Sequence, residues 1–457
     1  MHRYDGDSER LAGLVFDYAL RRLRFDPVPL DGTRTASALH EAVGETVTPA
    51  GIGASRALKI FDDVLSRACI SVDHPRYLSF IPAAPSEAAT LFDLVVGVSS
   101  VYGGSWLEGA GAVFAENQAL RWLADLAGFP QGAGGVFVQG GTVGNLSALV
   151  AARHAARRRR TAAGLGPPRG RWRFARGVDA HSSLDHAAEV MDVDTVAVPL
   201  DTDGRMTGAA LADTVEALPE SERDSLFAVV ATAGSTQFGI VDDLGGVVET
   251  AHRYGLWAHI DGAYGLAALA APSVRHRFAG VSGADSFIVD PHKWLFAPFD
   301  ACALVYRDPA LGKAAHRQHA GYLEILDGPD AWNPSDYAVH LSRRARGLPF
   351  WFSLAAHGTD AYTAAIEKSL DTARAAAEQI RRLPYVELVR EPELSVVVLR
   401  RLGWSPGDYF EWTERLLASG YAFVTPTVHA GETMTRFAIV NPRTEPADIA
   451  GILDTMA

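Results

Sequence analysis

The chain has 457 residues, 48% of them hydrophobic and 21% charged, which is typical of a soluble globular protein of roughly two or three domains. Its formal net charge of −12 argues against a nucleic-acid-binding protein, and no apolar run approaches the roughly 18–20 residues of a membrane span. Because the N-terminus lacks a signal-peptide segment, and Cys69 and Cys302 lack metal-type spacing, we predict a cytoplasmic protein with neither a disulfide framework nor a metal site.

The first 75 residues are predicted to form a helical segment. Apolar residues recur near helical spacing over residues 8–24, and Pro27 and Pro29 end that helix. A second helix is expected over residues 55–69. From the pattern alone, such helices pack on the main domain of the chain.

Strand-like and helical patterns alternate between residues 134 and 306. This alternation predicts a mostly parallel sheet covered by helices, and therefore an α/β fold. Beyond it, strands are expected over residues 394–399 and 435–439 among helical patterns. We therefore expect a large domain over residues 76–345 and a small α+β C-terminal domain over residues 346–457.

A glycine-rich turn follows the first predicted strand of the large domain. Residues 136–138 have the apolar pattern of a strand, Gly140 and Gly141 form the turn, and a helix is expected to begin near Thr142. Such a turn exposes backbone N–H groups at the positive end of a helix, which favours phosphate binding. Glycine-rich turns before helices are common, so this indication is weak by itself.

The segment Ser286–Trp294 contains the strongest candidate for catalysis. Its apolar run suits a buried strand that stops at Asp290-Pro291, since proline prevents a strand from continuing, and Lys293 follows at the strand's end. A lysine beside aromatic groups and largely out of water should have a lowered pKa and a nucleophilic amine, as a Schiff-base lysine requires. The alternative is a surface lysine in a loop, which describes most lysines.

A carboxylate ends a second strand-like run, in which residues 256–260 lead to Asp261. Two parallel strands that end in an acid and a lysine would place both in the crevice where open α/β sheets bind ligands. A pyridine cofactor needs this pair, because the lysine binds it covalently and the carboxylate keeps its ring nitrogen protonated.

The motifs Asp-Pro-His-Lys-Trp (290–294) and His-Ile-Asp-Gly-Ala-Tyr (259–264) together resemble those of the group II pyridoxal-phosphate (PLP) amino-acid decarboxylases, the aromatic-L-amino-acid decarboxylase family. The resemblance runs from about His74 to Arg443. It implies PLP as the cofactor and PLP fold type I, the aspartate-aminotransferase-like fold. It also implies a homodimer with shared active sites, in which residues 1–75 wrap the partner subunit.

The resemblance implies a role for each of several residues. Gly141 and Thr142 fall on the phosphate-binding positions, and His292 would help to hold the phosphate. His181, in the Ala-His-Ser-Ser segment, would stack on the pyridine ring, and Ala263 would pack on the opposite face. The remaining cofactor-binding residues would be Thr232, near the ring or its phenolic oxygen, together with Asp261 and Lys293. The sequence departs from the family at Val143 and Gly144, where glutamate and alanine are usual.

The resemblance also implies a substrate pocket. One wall would be formed by four mainly apolar residues, Phe80, Ile81, Pro82 and Ala83, and a second segment with Tyr102 and Gly104 would come from the partner subunit. This wall is more apolar than in relatives that use catechols, because Ala83 replaces a small hydroxyl residue. The wall disfavours glutamate, which would need a cationic partner.

Residues 321–336 contain two prolines and two glycines, which predicts a mobile loop that acts as a lid. Tyr322 falls where the family carries a catalytic tyrosine on such a lid. With Lys293, His181 and Asp261, it completes the predicted catalytic set. No rigid motif flanks Tyr322, so the local alignment is not fixed by the sequence.

These residues predict PLP-dependent decarboxylation of a hydrophobic, preferentially aromatic, L-amino acid to its amine. Three alternatives remain open. The first is an oxygen-using aldehyde synthase, although its known forms generally change the lid tyrosine or the stacking histidine, both intact here. The second is another lyase or a transaminase of the same fold. The third is a catalytically silent binding protein, which the Lys293–Asp261 pair disfavours.

Overall fold

The structure is a computed structural model that describes residues 2–326, 328 and 331–457, and for Tyr322 it describes the backbone alone. Within these residues, two sheets are formed. The strands of the larger sheet are β1 (Gly134–Val138), β2 (Arg173–Gly177), β3 (Asp194–Val198), β4 (Leu226–Thr232), β5 (Trp257–Asp261), β6 (Ser286–Val289) and β7 (Cys302–Tyr306). The strands of the smaller sheet are β8 (Val386–Leu388), β9 (Val396–Arg401), β10 (Pro426–His429) and β11 (Glu432–Ala438).

The larger sheet has the strand order β1-β7-β6-β5-β4-β2-β3. Strands β3, β2, β4, β5 and β6 are parallel to one another, whereas β7 is antiparallel to both β6 and β1. Strands β4, β5 and β7 are almost completely buried and mainly apolar, as expected for strands covered on both faces. The smaller sheet is antiparallel throughout. The predicted mostly parallel sheet with a smaller α+β C-terminal region is confirmed.

The helices of the described residues follow in chain order. They are α1 (Gly6–Leu23), α2 (Ala36–Val43), α3 (Ala54–Ile60), α4 (Glu87–Val98), α5 (Trp106–Leu126), α6 (Gly141–Ala162), α7 (Ser183–Met191), α8 (Gly208–Ala217), α9 (Glu220–Arg223), α10 (Leu244–Arg253), α11 (Pro291–Trp294), α12 (Pro309–His316), α13 (Leu348–His357), α14 (Thr359–Arg382), α15 (Pro406–Ala418) and α16 (Pro446–Asp454). None of these helices is long and apolar enough to cross a membrane.

A short segment around Leu78 packs into the hydrophobic core of the C-terminal region. Leu78 is fully buried among apolar residues of α14, α15, α16 and the smaller sheet. Its N–H donates to Phe423 O, and its carbonyl accepts from Ala438 N–H, both at 2.9 Å. The segment next to Leu78 therefore belongs structurally to the C-terminal sheet, although the sequence assigned it to the large domain.

Helices near the N-terminus leave apolar side chains in contact with solvent. Helix α1 has no buried residue. On α4, Leu91, Leu94, Val95 and Val98 are between 39% and 73% exposed. A row of exposed apolar residues of this kind is typical of a surface that another chain covers.

Four buried histidines make stability depend on pH. Burial lowers the pKa of His74, His259, His316 and His340 from 6.5 to about 4. A histidine whose pKa is lower in the folded state takes up a proton on unfolding, so its contribution to stability is lost as pH falls through this range. Burial has the opposite consequence for Asp242, because it raises the pKa of that carboxyl from 3.8 to about 6.

We expect the free energy of unfolding to fall by several kcal/mol between about pH 6.5 and about pH 4. Each unit of pKa difference corresponds to about 1.4 kcal/mol, and the four histidines together outweigh the opposite effect of Asp242. Urea unfolding of the apo-protein across this range measures the effect. His316→Gln should reduce the slope, because an amide can replace the 2.9 Å hydrogen bond to Ser147 O without titrating. Exposed His276, changed to Gln, is the control. A flat profile would contradict the expectation.

Candidate active site

The carboxyl ends of four strands meet at one edge of the larger sheet. Strands β4, β5 and β6 are parallel and end at Thr232, Asp261 and Val289. Strand β1 runs in the same direction, and the turn after it leads into α6 at Gly141. Open α/β sheets bind ligands at this edge.

A cavity of about 230 Å³ lies at this edge. It is lined by Gly140, Gly141, Thr142, Asn145, Asp179, His181, Ser183, Thr232, Gly234, Ser235, Thr236, Asp261, Ala263, Tyr264, Asp290, His292 and Lys293. All eight residues predicted to bind the cofactor are in this set. The sequence therefore identified one contiguous site from motifs more than 150 residues apart.

Asp261 is held at the end of β5 by two donors. Its Oδ2 accepts from Asn145 Nδ2 at 2.9 Å, and its Oδ1 accepts from the Ala263 backbone N–H at 3.1 Å. The side chain is 7% exposed. These two hydrogen bonds fix the orientation of the Asp261 side chain in the cavity.

Lys293, on the short helix α11, does not have the lowered pKa that its sequence context predicted. Its Nζ lies 2.9 Å from Asp290 Oδ2. Burial lowers the pKa of the Lys293 amine, but the charge and the hydrogen bond of Asp290 outweigh burial and hold the pKa above its usual value. The prediction was wrong because the sequence does not reveal that the preceding aspartate turns toward the amine.

His292 and His181 both line the cavity but differ in their exposure to solvent. His292 is buried, and its Nδ1 accepts from the Ala301 N–H at 3.0 Å, so the ring proton sits on Nε2. Burial lowers the pKa of His292. His181 is exposed, and its Nδ1 accepts from the Ser183 N–H at 3.1 Å. That bond fixes the His181 ring at the start of α7, where a planar ligand in the cavity can contact it.

The model of the pyridoxal-dependent decarboxylase conserved domain matches residues 52–401, well over half of the chain. The chain belongs to the pyridoxal-dependent decarboxylase family. It is therefore a PLP-dependent carboxy-lyase, and the predicted family, enzyme class and cofactor are confirmed.

Curated relatives align with almost the whole length of this chain. The aromatic-L-amino-acid decarboxylase of Bacillus atrophaeus is 26% identical over 438 residues, which cover 93% of this chain and 89% of the relative. The L-2,4-diaminobutyrate decarboxylase of Rhizobium meliloti (strain 1021) is 29% identical over 465 residues, covering 99% and 86%. The crystal structure of Oryza sativa TDC with PLP and tryptamine has a TM-score of 0.90 and 24% identity, covering 100% of this chain and 99% of that one. The fold is PLP fold type I, as predicted.

The residues of the decarboxylase fit PLP on structural grounds. The Lys293 amine and the Asp261 carboxylate face one cavity, as an aldehyde and a pyridine nitrogen require. A Cβ atom at Gly141 would lie 3.3 Å from Ala263 Cβ and from Asp290 Oδ2, so glycine keeps the turn open to a phosphate. In addition, the buried Oδ1 of Asp290 has no hydrogen-bond partner among the described residues.

Gly144, one of the two departures from the family pattern, has a packing explanation. A Cβ atom there would lie 2.8 Å from Ile288 Cγ2 and 3.0 Å from Cys302 Sγ. The side chains of β6 and β7 thus fill the space that an alanine methyl group would need. Glycine lets α6 approach the sheet closely, which sets the position of the turn at Gly141.

The six predicted pocket residues do not line this cavity within the single chain. Phe80 is 59% exposed with a left-handed φ of 54°, whereas Pro82 and Ala83 are buried and Ile81 is half-buried. Tyr102 pairs with Arg344 in an isolated bridge, and the Gly104 carbonyl accepts from the Ser335 N–H at 3.0 Å. The predicted catalytic side chain of Tyr322 lies outside the described residues.

Sequence reasoning missed several residues that the fold brings to the site. Asn145 lies three residues after Thr142 of the glycine turn, and Ser183 lies in the Ala-His-Ser-Ser segment, but their small polar side chains gave no separate signal. Arg436 on β11 is 8% exposed, donates to Phe80 O at 2.9 Å and interacts electrostatically with Tyr264 in the cavity wall. Burial lowers the pKa of the Arg436 guanidinium to about 10. Arg436 lies in a strand that also contains Glu432 and two threonines, so no separate signal marked it in the sequence.

Proposed function

We propose that this enzyme decarboxylates a hydrophobic, preferentially aromatic, L-amino acid to the corresponding amine. The observation that carries the proposal is the convergence of Lys293, Asp261 and His181 on one cavity. When bound, PLP supplies a ring that accepts the electron pair released as CO2 leaves. Lys293 holds the cofactor, Asp261 keeps a proton on its ring nitrogen, and His181 covers one face of the ring.

The apolar segment at residues 80–83 supports the substrate class. Arg436 fixes the Phe80 carbonyl and also lies close to Tyr264, which lines the cavity. The Phe80 ring is exposed, 6.4 Å from the Phe423 ring between centroids, and so offers an apolar surface to a substrate side chain. The side chains of residues 80–83 include no cation for an acidic substrate side chain.

A short diamino acid is the second candidate substrate. Asp179 lines the cavity and is half-exposed, so its carboxylate can bind an ammonium group on a substrate side chain. The Rhizobium relative named above is an L-2,4-diaminobutyrate decarboxylase.

Incubation of the purified holoenzyme with each of the twenty amino acids and with L-2,4-diaminobutyrate, with CO2 and amine both measured, tests the proposal. We expect CO2 and amine in equal amounts from one or more aromatic or branched aliphatic amino acids. Release from diaminobutyrate alone would select the second candidate and overturn the first. Aldehyde and peroxide in place of amine would indicate the oxygen-using synthase instead.

We also propose a cytoplasmic homodimer with shared active sites. The exposed apolar rows on α1 and α4 support a second copy as the covering chain. Tyr102 and Gly104 do not line the cavity of their own chain. This placement is compatible with a role in the active site of the partner subunit. The part played by residues 1–75 in wrapping the partner, and the domain boundary at residue 345, remain predictions.

Tyr322→Phe should separate CO2 loss from amine formation. Once CO2 has left, the substrate Cα needs one proton, which the Tyr322 phenol, assisted by His181, supplies in our proposal and a phenyl ring cannot. We expect amine formation to fall at least about tenfold more than CO2 release. The unprotonated Cα then reacts with dissolved oxygen and water, giving aldehyde, ammonia and peroxide.

Amine, CO2, aldehyde and peroxide are measured together for parent and variant. Tyr254→Phe is the matched control, because the Tyr254 hydroxyl donates to Glu216 at 2.7 Å on the surface. If the Tyr322 variant gave the parent's yield of amine, the proton donor would have to be His181 or another residue of the lid.

A further inference from the structure

A buried line of hydrogen bonds extends from Asp261 away from the cavity. Asn145, in the first turns of α6, donates to Asp261 at 2.9 Å, and its Oδ1 lies 3.0 Å from His259 Nε2. His259 Nδ1 lies 2.8 Å from Ser286 Oγ, which also accepts from Trp257 Nε1 at 2.8 Å. Asn145, His259 and Ser286 are each at most 1% exposed.

The residues at the two ends of this line determine which atom donates in each of its hydrogen bonds. The indole N–H of Trp257 can only donate, and an ionised Asp261 can only accept. Because Asn145 turns its NH2 group toward Asp261, its Oδ1 accepts from His259 Nε2–H. The Ser286 hydroxyl then donates to His259 Nδ1. Each donor in the line thus meets an acceptor when Asp261 is ionised and His259 is neutral.

A proton on Asp261 Oδ2 directed at Asn145 would have to reverse this line. The carboxylic acid would donate to Asn145 Oδ1, the NH2 group would face His259, and His259 Nδ1–H would donate to Ser286. Ser286 would then accept from both His259 and Trp257, and its own proton would have no acceptor in the line. Because a buried unpaired donor is costly, the line keeps Asp261 Oδ2 as the acceptor of the Asn145 hydrogen bond. Burial lowers the pKa of His259 to about 4, which agrees with a neutral ring.

We propose that Asn145 and His259 are positioning residues that hold the Asp261 side chain oriented toward the ring nitrogen of bound PLP. The inference rests on the role of Asp261 in the proposed function. Asn145 holds one carboxylate oxygen and the Ala263 N–H holds the other. With both oxygens held, the carboxylate cannot rotate away when a ligand enters, and its free lone pairs face the cavity.

The binding of two ligands to the apo-protein tests this inference. One ligand is PLP and the other is its 1-deaza analogue, in which C–H replaces the ring nitrogen. We expect the wild type to bind PLP at least about tenfold more tightly than the analogue, as a charge-assisted hydrogen bond predicts. Asn145→Leu should lose most of that preference while its affinity for the analogue changes little.

Two further substitutions separate positioning from general damage to the core. His259→Gln keeps an N–H group that can donate to Asn145, so the preference should persist, whereas His259→Leu should reduce it severalfold. Ser147→Ala is the matched control, because Ser147 is buried on the same helix and its hydroxyl accepts from Val339 N–H, outside the line. Thermal unfolding of each apo-protein reports any loss of stability.

The possible failures are distinguishable. Folded Asn145→Leu and His259→Leu proteins with the wild-type preference for PLP would overturn the positioning role and leave the proposed function intact. If Asn145→Leu does not fold, the contrast between His259→Gln and His259→Leu decides. A wild type that binds both ligands equally would instead refute the contact between Asp261 and the ring nitrogen.

Discussion

Lys293→Ala is expected to abolish decarboxylation, with turnover at least about a thousandfold lower. The amine of Lys293 is the group in the cavity that can bind the cofactor aldehyde covalently, and alanine offers no nucleophile. The glycine turn at Gly141 and Thr142 remains, so PLP should still bind through its phosphate but dissociate readily. The near-visible absorption band of lysine-linked PLP should be absent.

Absorbance before and after gel filtration, together with turnover on a substrate of the wild type, checks this expectation. Lys368→Ala is the control, since Lys368 is a surface residue paired with Glu445 at 2.5 Å. Retention of both the absorption band and full turnover in Lys293→Ala would show that the central assignment is wrong. Loss of both in the control would point to a general effect of lysine removal.

Asp261→Asn is expected to lower turnover at least about a hundredfold while PLP affinity changes much less. An amide has the same shape but only one acceptor oxygen, so it can keep the hydrogen bond from the Ala263 N–H or the one from Asn145, and the fold of the strand end should persist. However, it carries no charge and cannot keep a proton on the pyridine nitrogen. The transition state for CO2 loss then loses its electron acceptor, whereas the phosphate and Lys293 contacts remain.

Turnover and PLP affinity are measured for the same preparation. Asp285→Asn is the matched control, because Asp285 lies at the opposite end of the sheet and accepts from the Ala258 N–H at 2.8 Å. An unchanged rate for Asp261→Asn would refute the role of the strand end at Asp261. An equal loss of rate in both variants would indicate damage to the sheet rather than to the chemistry.

Residues at strand ends could be predicted from the sequence because local rules place them. Apolar runs of four to seven residues form the strands, and the polar residue after each run falls at the carboxyl edge of a parallel sheet. Asp261 follows this rule, and Lys293 comes four residues after the end of β6; both line the cavity. The family resemblance added His181, Ala263 and the identity of the cofactor, which no spacing rule supplies.

Contacts between distant side chains could not be predicted in the same way. Asn145 meets Asp261 across 116 positions, and Arg436 reaches the Phe80 carbonyl across 356. The raised pKa of Lys293 depends on which way Asp290 turns after β6, a choice made by tertiary packing. Leu78 joins the C-terminal core for the same reason. Side-chain direction and long-range pairing, rather than the strands themselves, were beyond the reach of the sequence.

The antiparallel strand β7 affects how long the reactive lysine stays in place. Strands β6 and β7 are neighbours inside the sheet, and Val289 pairs with Ala303. Lys293 lies in the connection between these two strands, so an inner strand anchors the chain on each side of it. Local fluctuations start where few hydrogen bonds must break, whereas the amides here exchange with solvent only when central strands separate. Amides of residues 286–289 and 302–306 should thus be among the last to take up deuterium, and the lysine should keep its place until the whole domain unfolds.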